Sequence, residues 1–158
     1  MCLFRFKAKK SEPSPEYAYW LSQQKTFEDV HRYIDDFTYQ YDIDQFGITD
    51  YWQTPSQFFR TKTGDCEDVH LFLADAFYRA LGWESYLLIG WKWEKFPRAI
   101  AHGMSIITRP NVGLQLINYW DVIPMKHLRD KEALNRAGYT YFGGIFRMPD
   151  GKNVWYWL

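Results

Sequence analysis

Residues 64–82, GDCEDVHLFLADAFYRALG, predict the helix around which the rest of the chain is arranged. Apolar residues recur there at spacings of three and four, which is typical of a helix that buries one face. These residues are Val69, Phe72, Leu73, Ala76, Phe77, Ala80 and Leu81. Gly82 predicts the end of the helix, Asp65 is a good N-cap residue, and Asp68 can complete a capping-box pair. The helix is therefore expected to begin at Cys66.

Cys66 is a candidate nucleophile because of this position. A cysteine at a helix start faces unpaired N–H groups and the positive end of the helix dipole, which lowers the thiol pKa and favours the thiolate. The alternative is that Cys66 is a small apolar residue that fills space at the helix start. Cys2 has no comparable setting. Two cysteines this far apart, in a chain without a recognisable export signal, are expected to be free thiols.

Length and composition restrict the class of protein. The chain of 158 residues is expected to form one domain, residues 16–158, after a loose lead-in at residues 1–15. Hydrophobic residues at 47% supply a core that needs neither disulfides nor a structural metal. Zero net charge argues against a nucleic-acid-binding face. The sequence contains no run of about 18 apolar residues, so no membrane span is expected. The chain is expected to be cytoplasmic, and its oligomeric state stays open.

The remaining patterns predict an α+β fold, with N-terminal helices and the central Cys-bearing helix packed on an antiparallel sheet. Helices are expected at residues 16–24 and 27–39, followed by a loop at 39–51 and a short helical turn after Thr54-Pro55. Strands are expected at 84–93, 101–108 and 114–122, with a helix at 124–137 and a final strand pair around the turn at 149–151.

Two of these strands carry further candidate site residues. His102 lies near the start of the AHGMSIIT strand, on the face that holds Met104 and Ile106. On the next strand Asn118 and Asp121 lie on opposite faces, so only one of them can face His102. A tight turn at 111–112 favours Asp121, whereas a longer or bulged turn favours Asn118, which we prefer. A thiol, an imidazole and an amide or carboxylate are the groups of Cys-His-Asn/Asp acyl-transfer chemistry.

The pattern D-x-W-x-T-P-x-x-F at residues 50–58, followed by GDCED at 64–68, resembles the bacterial transglutaminase-like cysteine peptidases. The resemblance extends over residues 50–123. It implies the papain-like fold of the transglutaminase-like superfamily, with Cys66, His102 and Asn118 in the family's chain order. Asn118 fits the family's spacing from the histidine, although aspartate is commoner there. The implied function is thiol-dependent hydrolysis of a peptide or amide bond in a peptide or protein substrate. The alternatives are transamidation by the same residues and a catalytically idle domain that binds a peptide or partner protein.

The resemblance also bears on oxyanion stabilisation and on metals. N–H groups at the start of the Cys66 helix are expected to bind the oxyanion, with a further donor from residues 52–53, since Arg60 stands where papain-type enzymes have glutamine. The chemistry requires no cofactor. In a calcium-dependent branch of the family, acidic residues flanking the nucleophile bind Ca²⁺, so Asp65 and Glu67 form an alternative calcium site.

A metal site built from Cys66, His70 and His102 is a separate alternative. His70 lies one helical turn beyond Cys66, so the three side chains could in principle point at one ion. No fourth ligand accompanies them at a recognisable spacing. An exposed histidine on the flank of the helix is the simpler interpretation of His70.

Overall fold

Six antiparallel strands form the main sheet of the computed structural model, which describes residues 11–156. The helices are α1 Pro15–Gln23, α2 Phe27–His31, α3 Asp42–Phe46, α4 Pro55–Thr61, α5 Cys66–Leu81 and α6 Lys131–Arg136. The strands are β1 Thr38–Tyr39, β2 Thr63–Gly64, β3 Ser85–Lys95, β4 Arg98–Arg109, β5 Gly113–Asn118, β6 Asp121–Pro124, β7 Tyr141–Arg147 and β8 Lys152–Tyr156. The main sheet has the order β6-β5-β4-β3-β7-β8, and β1 and β2 form a separate parallel pair. The predicted α+β class is confirmed.

Helix α5 lies between the sheet and the helices α1, α2 and α4. It begins at Cys66 and ends at Gly82, whose φ of 70° is the left-handed conformation that favours glycine at a helix end. Its predicted apolar stripe packs with buried residues of α1, α2 and α4. Its opposite side carries Leu71 and Ala74, which pack on Leu87 and Ile89 of β3. Because α5 has neighbours on both sides, its polar residues near Cys66 are buried as well.

The other face of the sheet packs against α6. Residues of β3, β4 and β5 alternate between the two faces, as expected for strands covered on both sides. Those on the α6 side include Leu88, Met104, Ile106 and Leu116, which form one buried cluster with Leu134. Strand β4 therefore contributes to both layers of the core, and it carries His102 on the same face as Met104 and Ile106.

Several element boundaries differ from the sequence predictions. The helix expected at 27–39 ends early, because α2 passes into a 3₁₀ turn at Arg32–Ile34 and β1 follows. The segment 39–51, predicted to be a loop, contains α3. The helix expected at 124–137 is confined to α6. Most of the predicted lead-in, residues 1–10 with Cys2, lies outside the described residues.

The strand expected at 114–122 is divided in two. Asn118 ends β5, Tyr119 and Trp120 form a tight connection, and β6 folds back so that Asn118 pairs with Asp121. Tyr119 has a φ of 53°, a left-handed conformation that interrupts an extended strand. The predicted alternation of side chains between the two faces of the sheet therefore holds only as far as Asn118, and it does not extend to Asp121.

Within residues 11–156 no helix is long and apolar enough to cross a membrane.

Candidate active site

Cys66 lies where the start of α5 meets β4. Strand β5 pairs with β4 only as far as Ser105↔Ile117. The backbone N–H of Gly103 then donates to Cys66 Sγ, at 3.4 Å. The end of β5 thus leaves a free stretch of β4 edge, and the thiol occupies it.

Gly103 is required for this approach, a point that sequence reasoning missed. A Cβ atom at Gly103 would lie 2.9 Å from Glu67 Cα and 3.1 Å from the Cys66 carbonyl oxygen. Both neighbours are backbone atoms, so a side chain would push the helix away from the strand. A glycine directly after His102 inside a strand was the available signal, because interior strand glycines often mark a close backbone approach.

His102 is held by Asn118. Its Nε2–H donates to Asn118 Oδ1 over 2.8 Å, which leaves Nδ1 as the basic nitrogen of the neutral ring. The ring also stacks on Tyr139, with centroids 5.0 Å apart and planes at 10°. Burial lowers the pKa of His102, and the hydrogen bond to Asn118 acts in the opposite direction. The site therefore holds an oriented, neutral imidazole on the residue before Gly103, whose N–H donates to Cys66 Sγ.

Asp121, the other candidate orienting residue, does not reach His102. The turn between β4 and β5 has Arg109 paired with Gly113, and Asn111 adopts a left-handed φ of 62°. This longer turn sets a register in which Asn118 shares the face of His102. Asp121 is exposed at the start of β6. The geometry thus places Asn118, and not Asp121, next to the imidazole.

The thiol donates its hydrogen bond to Glu67 and not to His102. Cys66 Sγ donates to Glu67 Oε2 at 3.0 Å, and among the described residues no hydrogen bond joins Sγ to a nitrogen of His102. Burial raises the pKa of the Cys66 thiol well above its usual range, the Glu67 carboxylate raises it further, and the Gly103 N–H acts against them. The predicted lowering of the thiol pKa is therefore wrong for this arrangement. Loss of solvation and the adjacent carboxylate outweigh the helix start.

Asp65 and Asp68 do not form the predicted capping-box pair. The Asp65 side chain accepts no capping hydrogen bond, and its Oδ1 is buried without a partner. Asp68 instead accepts from Gln53, with the backbone N at 2.7 Å from Oδ1 and Nε2 at 2.7 Å from Oδ2. Burial raises the pKa of Asp65 to about 9, with help from Glu67, and burial raises that of Asp68 to about 7. At neutral pH Asp65 therefore keeps its proton.

Gln53 is removed from the candidate oxyanion donors by the same contacts. Its backbone N–H is bound to Asp68, and its side-chain amide also donates to the Thr63 carbonyl, at 2.7 Å. The N–H groups in the first turn of α5 donate no hydrogen bond to the Asp65 side chain. They remain candidate donors to the oxygen of a carbonyl group that Cys66 would attack.

The residues near Cys66 that could hold a hard cation are carboxylates. Oxygen atoms of Asp42, Asp65 and Asp68 lie within 4.8 Å of one another, and Asp42 forms a second such group with Asp50 and Glu67. Asp42 Oδ1, like Asp65 Oδ1, is buried without a partner. Oxygen ligands of this kind suit Ca²⁺. Burial raises the pKa values of Asp42 and Asp65, which favours the protonated form of these carboxyl groups.

His70 is fully buried, so its predicted exposure is wrong. Its Nδ1–H donates to Ser105 Oγ at 3.0 Å, the Ser105 hydroxyl donates to the His70 carbonyl at 2.9 Å, and Nε2 accepts from Tyr119 N–H at 3.3 Å. Both ring nitrogens are thus in use. A metal site of Cys66, His70 and His102 would require breaking this arrangement.

Comparison of the chain with protein-family models gives no match, and comparison with curated proteins gives none either. The chemistry of the site therefore has to be argued from its own geometry. The His102 imidazole is oriented by Asn118 and lies on β4, next to Gly103. The backbone N–H of Gly103 contacts the buried thiol of Cys66 in the first turn of α5.

Proposed function

We propose that this domain is a thiol-dependent acyl-transfer enzyme, most simply a peptidase or amidase, with the papain-like arrangement of the transglutaminase-like superfamily. Cys66 is the nucleophile, His102 the base and Asn118 the residue that orients it. One observation carries the proposal. The hydrogen bond from His102 Nε2 to Asn118 leaves Nδ1 as the basic nitrogen of the ring. The next residue, Gly103, donates its backbone N–H to the Cys66 thiol.

The reaction proceeds in two halves. The thiol proton passes from Sγ of Cys66 to Nδ1 of His102, and the thiolate attacks the carbonyl carbon of the substrate. The C–N bond breaks, the amine leaves with the proton from His102, and a thioester forms on Cys66. Water then attacks the thioester and gives its proton to His102, so that a carboxylic acid is released and the thiol is restored. In the resting arrangement the S–H must first leave Glu67 Oε2.

A second candidate function has a specific observation in its favour. The protonated thiol, bonded to Glu67 and not to His102, is compatible with a catalytically idle domain that binds a peptide or partner protein. Such a domain needs a binding surface but not a reactive thiol. The two candidates therefore differ in whether Cys66 becomes acylated.

Acylation by p-nitrophenyl acetate tests the proposal. We expect the native protein to release p-nitrophenolate and to carry an acetyl thioester on Cys66, located by mass spectrometry of its peptides. Cys2→Ser is the matched control that keeps the reaction, and Cys66→Ser loses it. Equal rates in Cys66→Ser and the native protein would exclude the enzyme and leave the binding domain. Adding a primary amine during turnover separates transamidation, which yields acetylated amine, from hydrolysis.

A further inference from the structure

Tyr119 occupies a conformation that its residue type disfavours. It has a φ of 53°, in the connection between the paired residues Asn118 and Asp121. Tight hairpin connections of this kind usually place glycine or asparagine at a positive φ, because a Cβ atom is crowded there. Asn118, the residue just before Tyr119, binds His102. A residue in a disfavoured backbone conformation keeps it only if surrounding contacts stabilise it.

Two histidines from different helices hold the backbone of Tyr119. The Tyr119 N–H donates to Nε2 of His70 in α5, at 3.3 Å. The Tyr119 carbonyl accepts from Nε2–H of His31, the last residue of α2, at 2.7 Å. The peptide groups on both sides of the Tyr119 Cα are thereby fixed to the helical layer.

The His70 contact depends on one tautomer. Nε2 can accept from Tyr119 only if the ring is neutral and carries its proton on Nδ1. Ser105 selects that tautomer, because its hydroxyl hydrogen goes to the His70 carbonyl and its oxygen is left to accept from Nδ1–H. Burial, with the nearby His102 and His31, also lowers the pKa of His70, which keeps the ring neutral. His31 needs only to donate from Nε2 to the Tyr119 carbonyl.

The Tyr119 ring occupies the space between the same elements. Its centroid lies 4.9 Å from that of His70 and 5.4 Å from that of His102, and it stacks on Phe37 at 5.9 Å with planes at 11°. The ring therefore fixes the side-chain direction while the two histidines fix the backbone.

We propose that His70 is a positioning residue of the Cys66–His102 site, with His31 as its counterpart. Together they hold Tyr119 in the left-handed turn that brings Asn118 Oδ1 to His102 Nε2. The catalytic consequence rests on the proposed function, whereas the orientation of the His102 ring does not.

A matched pair of substitutions separates positioning from packing. His70→Gln keeps an acceptor oxygen near the place of Nε2, whereas His70→Asn keeps a donor for Ser105 but has nothing to accept from Tyr119. NMR of ¹⁵N-labelled histidine reports whether the His102 ring carries its proton on Nε2 and how fast that proton exchanges. We expect the native signature in His70→Gln. In His70→Asn we expect faster exchange of that proton and a mixture of tautomers.

Acylation by p-nitrophenyl acetate provides the second readout. His70→Asn is expected to lower its rate about tenfold to a hundredfold, and His70→Gln to recover most of it. Native His102 signals in a folded His70→Asn protein would overturn the proposal. If no variant is acylated, the proposed function fails while the NMR result still decides the role of His70.

A further variant covers the case in which His70→Asn does not fold. His31→Phe keeps the ring that stacks on Phe27, at 5.0 Å, but removes the donor to the Tyr119 carbonyl. The proposal expects the same change of the His102 signals, to a smaller extent. Unchanged His102 signals in His31→Phe would contradict it.

Discussion

The two sides of the candidate site are built in opposite ways. On the imidazole side neutral groups bind one another, from Ser105 through His70 and Tyr119 to Asn118 and His102. On the thiol side buried carboxylates crowd together, and oxygen atoms of Asp42 and Asp65 have no partner. Neutral hydrogen bonds change little with pH, whereas clustered carboxylates gain and lose protons. His102, the proposed base, is thus oriented by neutral hydrogen bonds, whereas the pKa of Cys66, the proposed nucleophile, depends on nearby carboxylates.

Removal of the base should have the largest effect. We expect His102→Ala to lower acylation of Cys66 by at least about a thousandfold, because the thiol then has no group to take its proton. Single-turnover release of p-nitrophenolate measures the rate, and circular dichroism checks that the sheet is intact. Added imidazole should restore part of the rate. A folded His102→Ala protein with the native rate would show that Glu67 alone activates the thiol.

The orienting contact should have the next largest effect. We expect Asn118→Ala to lower acylation about a hundredfold, since the imidazole is then free to rotate. Asp121→Ala is the matched control on the same hairpin, and it should stay near the native rate. Asn118→Asp should keep or raise the rate, because a carboxylate orients the ring and stabilises its cation. The opposite ranking of Asn118→Ala and Asp121→Ala would mean that Asp121, and not Asn118, orients the imidazole.

On the thiol side, Glu67→Gln should make Cys66 more reactive. Replacing the carboxylate by an amide removes a charge that raises the pKa of the thiol. Alkylation by iodoacetamide at a fixed pH below that pKa should become about tenfold faster, which corresponds to one pKa unit. Glu132→Gln, at an exposed residue paired with Lys126, controls for a general change of charge. A slower reaction in Glu67→Gln would indicate that the carboxylate serves as a base for the thiol.

A prediction of a different kind concerns the pH dependence of stability. Folding raises the pKa of Asp65 from 3.8 to about 9, so the folded chain holds a proton that the unfolded chain releases. The stability gained in this way is complete below about pH 4 and is lost as the pH rises towards about 9. Asp65→Asn should remove the loss, which is at most about 1.4 kcal/mol for each pH unit. Urea unfolding at several pH values measures it.

Calcium provides the control for that experiment. If Ca²⁺ raises the unfolding midpoint of the native protein at alkaline pH but not that of Asp65→Asn, the cluster takes a hard cation in place of the proton. A native protein whose stability follows the same pH profile as Asp65→Asn would contradict the raised pKa of Asp65.

The parts of the fold that were predictable rest on local patterns. The apolar stripe of α5 and the glycine that ends it follow from the pattern of residues 69–82. The preference for Asn118 as the partner of His102 rests on its strand face and on the spacing in the resembled family, and it requires the longer turn found at Asn111. Sequence periodicity is enough to find the helix, whereas the choice of Asn118 over Asp121 also needs the resemblance.

The parts that were missed depend on distant neighbours. His70 looks exposed on a helical wheel, and only the packing of α5 on both sides buries it. Asp68 has the spacing for a capping box, but Gln53 is a competing donor from another segment. Tyr119 lacks the glycine or asparagine signature of a left-handed turn, because His70 and His31 supply the stabilisation that residue type does not.

Gly103 makes the approach of Cys66 to the strand of His102 a property of the main chain. A Cβ atom at residue 103 would lie 2.9 Å from Glu67 Cα, so β4 and the first turn of α5 approach more closely than a side chain allows. A substitution at Gly103 would change this contact directly, whereas substitutions elsewhere in the core act on it only through shifts of the backbone. Designers who want to exchange the surrounding core residues, or graft the site onto another scaffold, therefore have one position that must be kept as glycine.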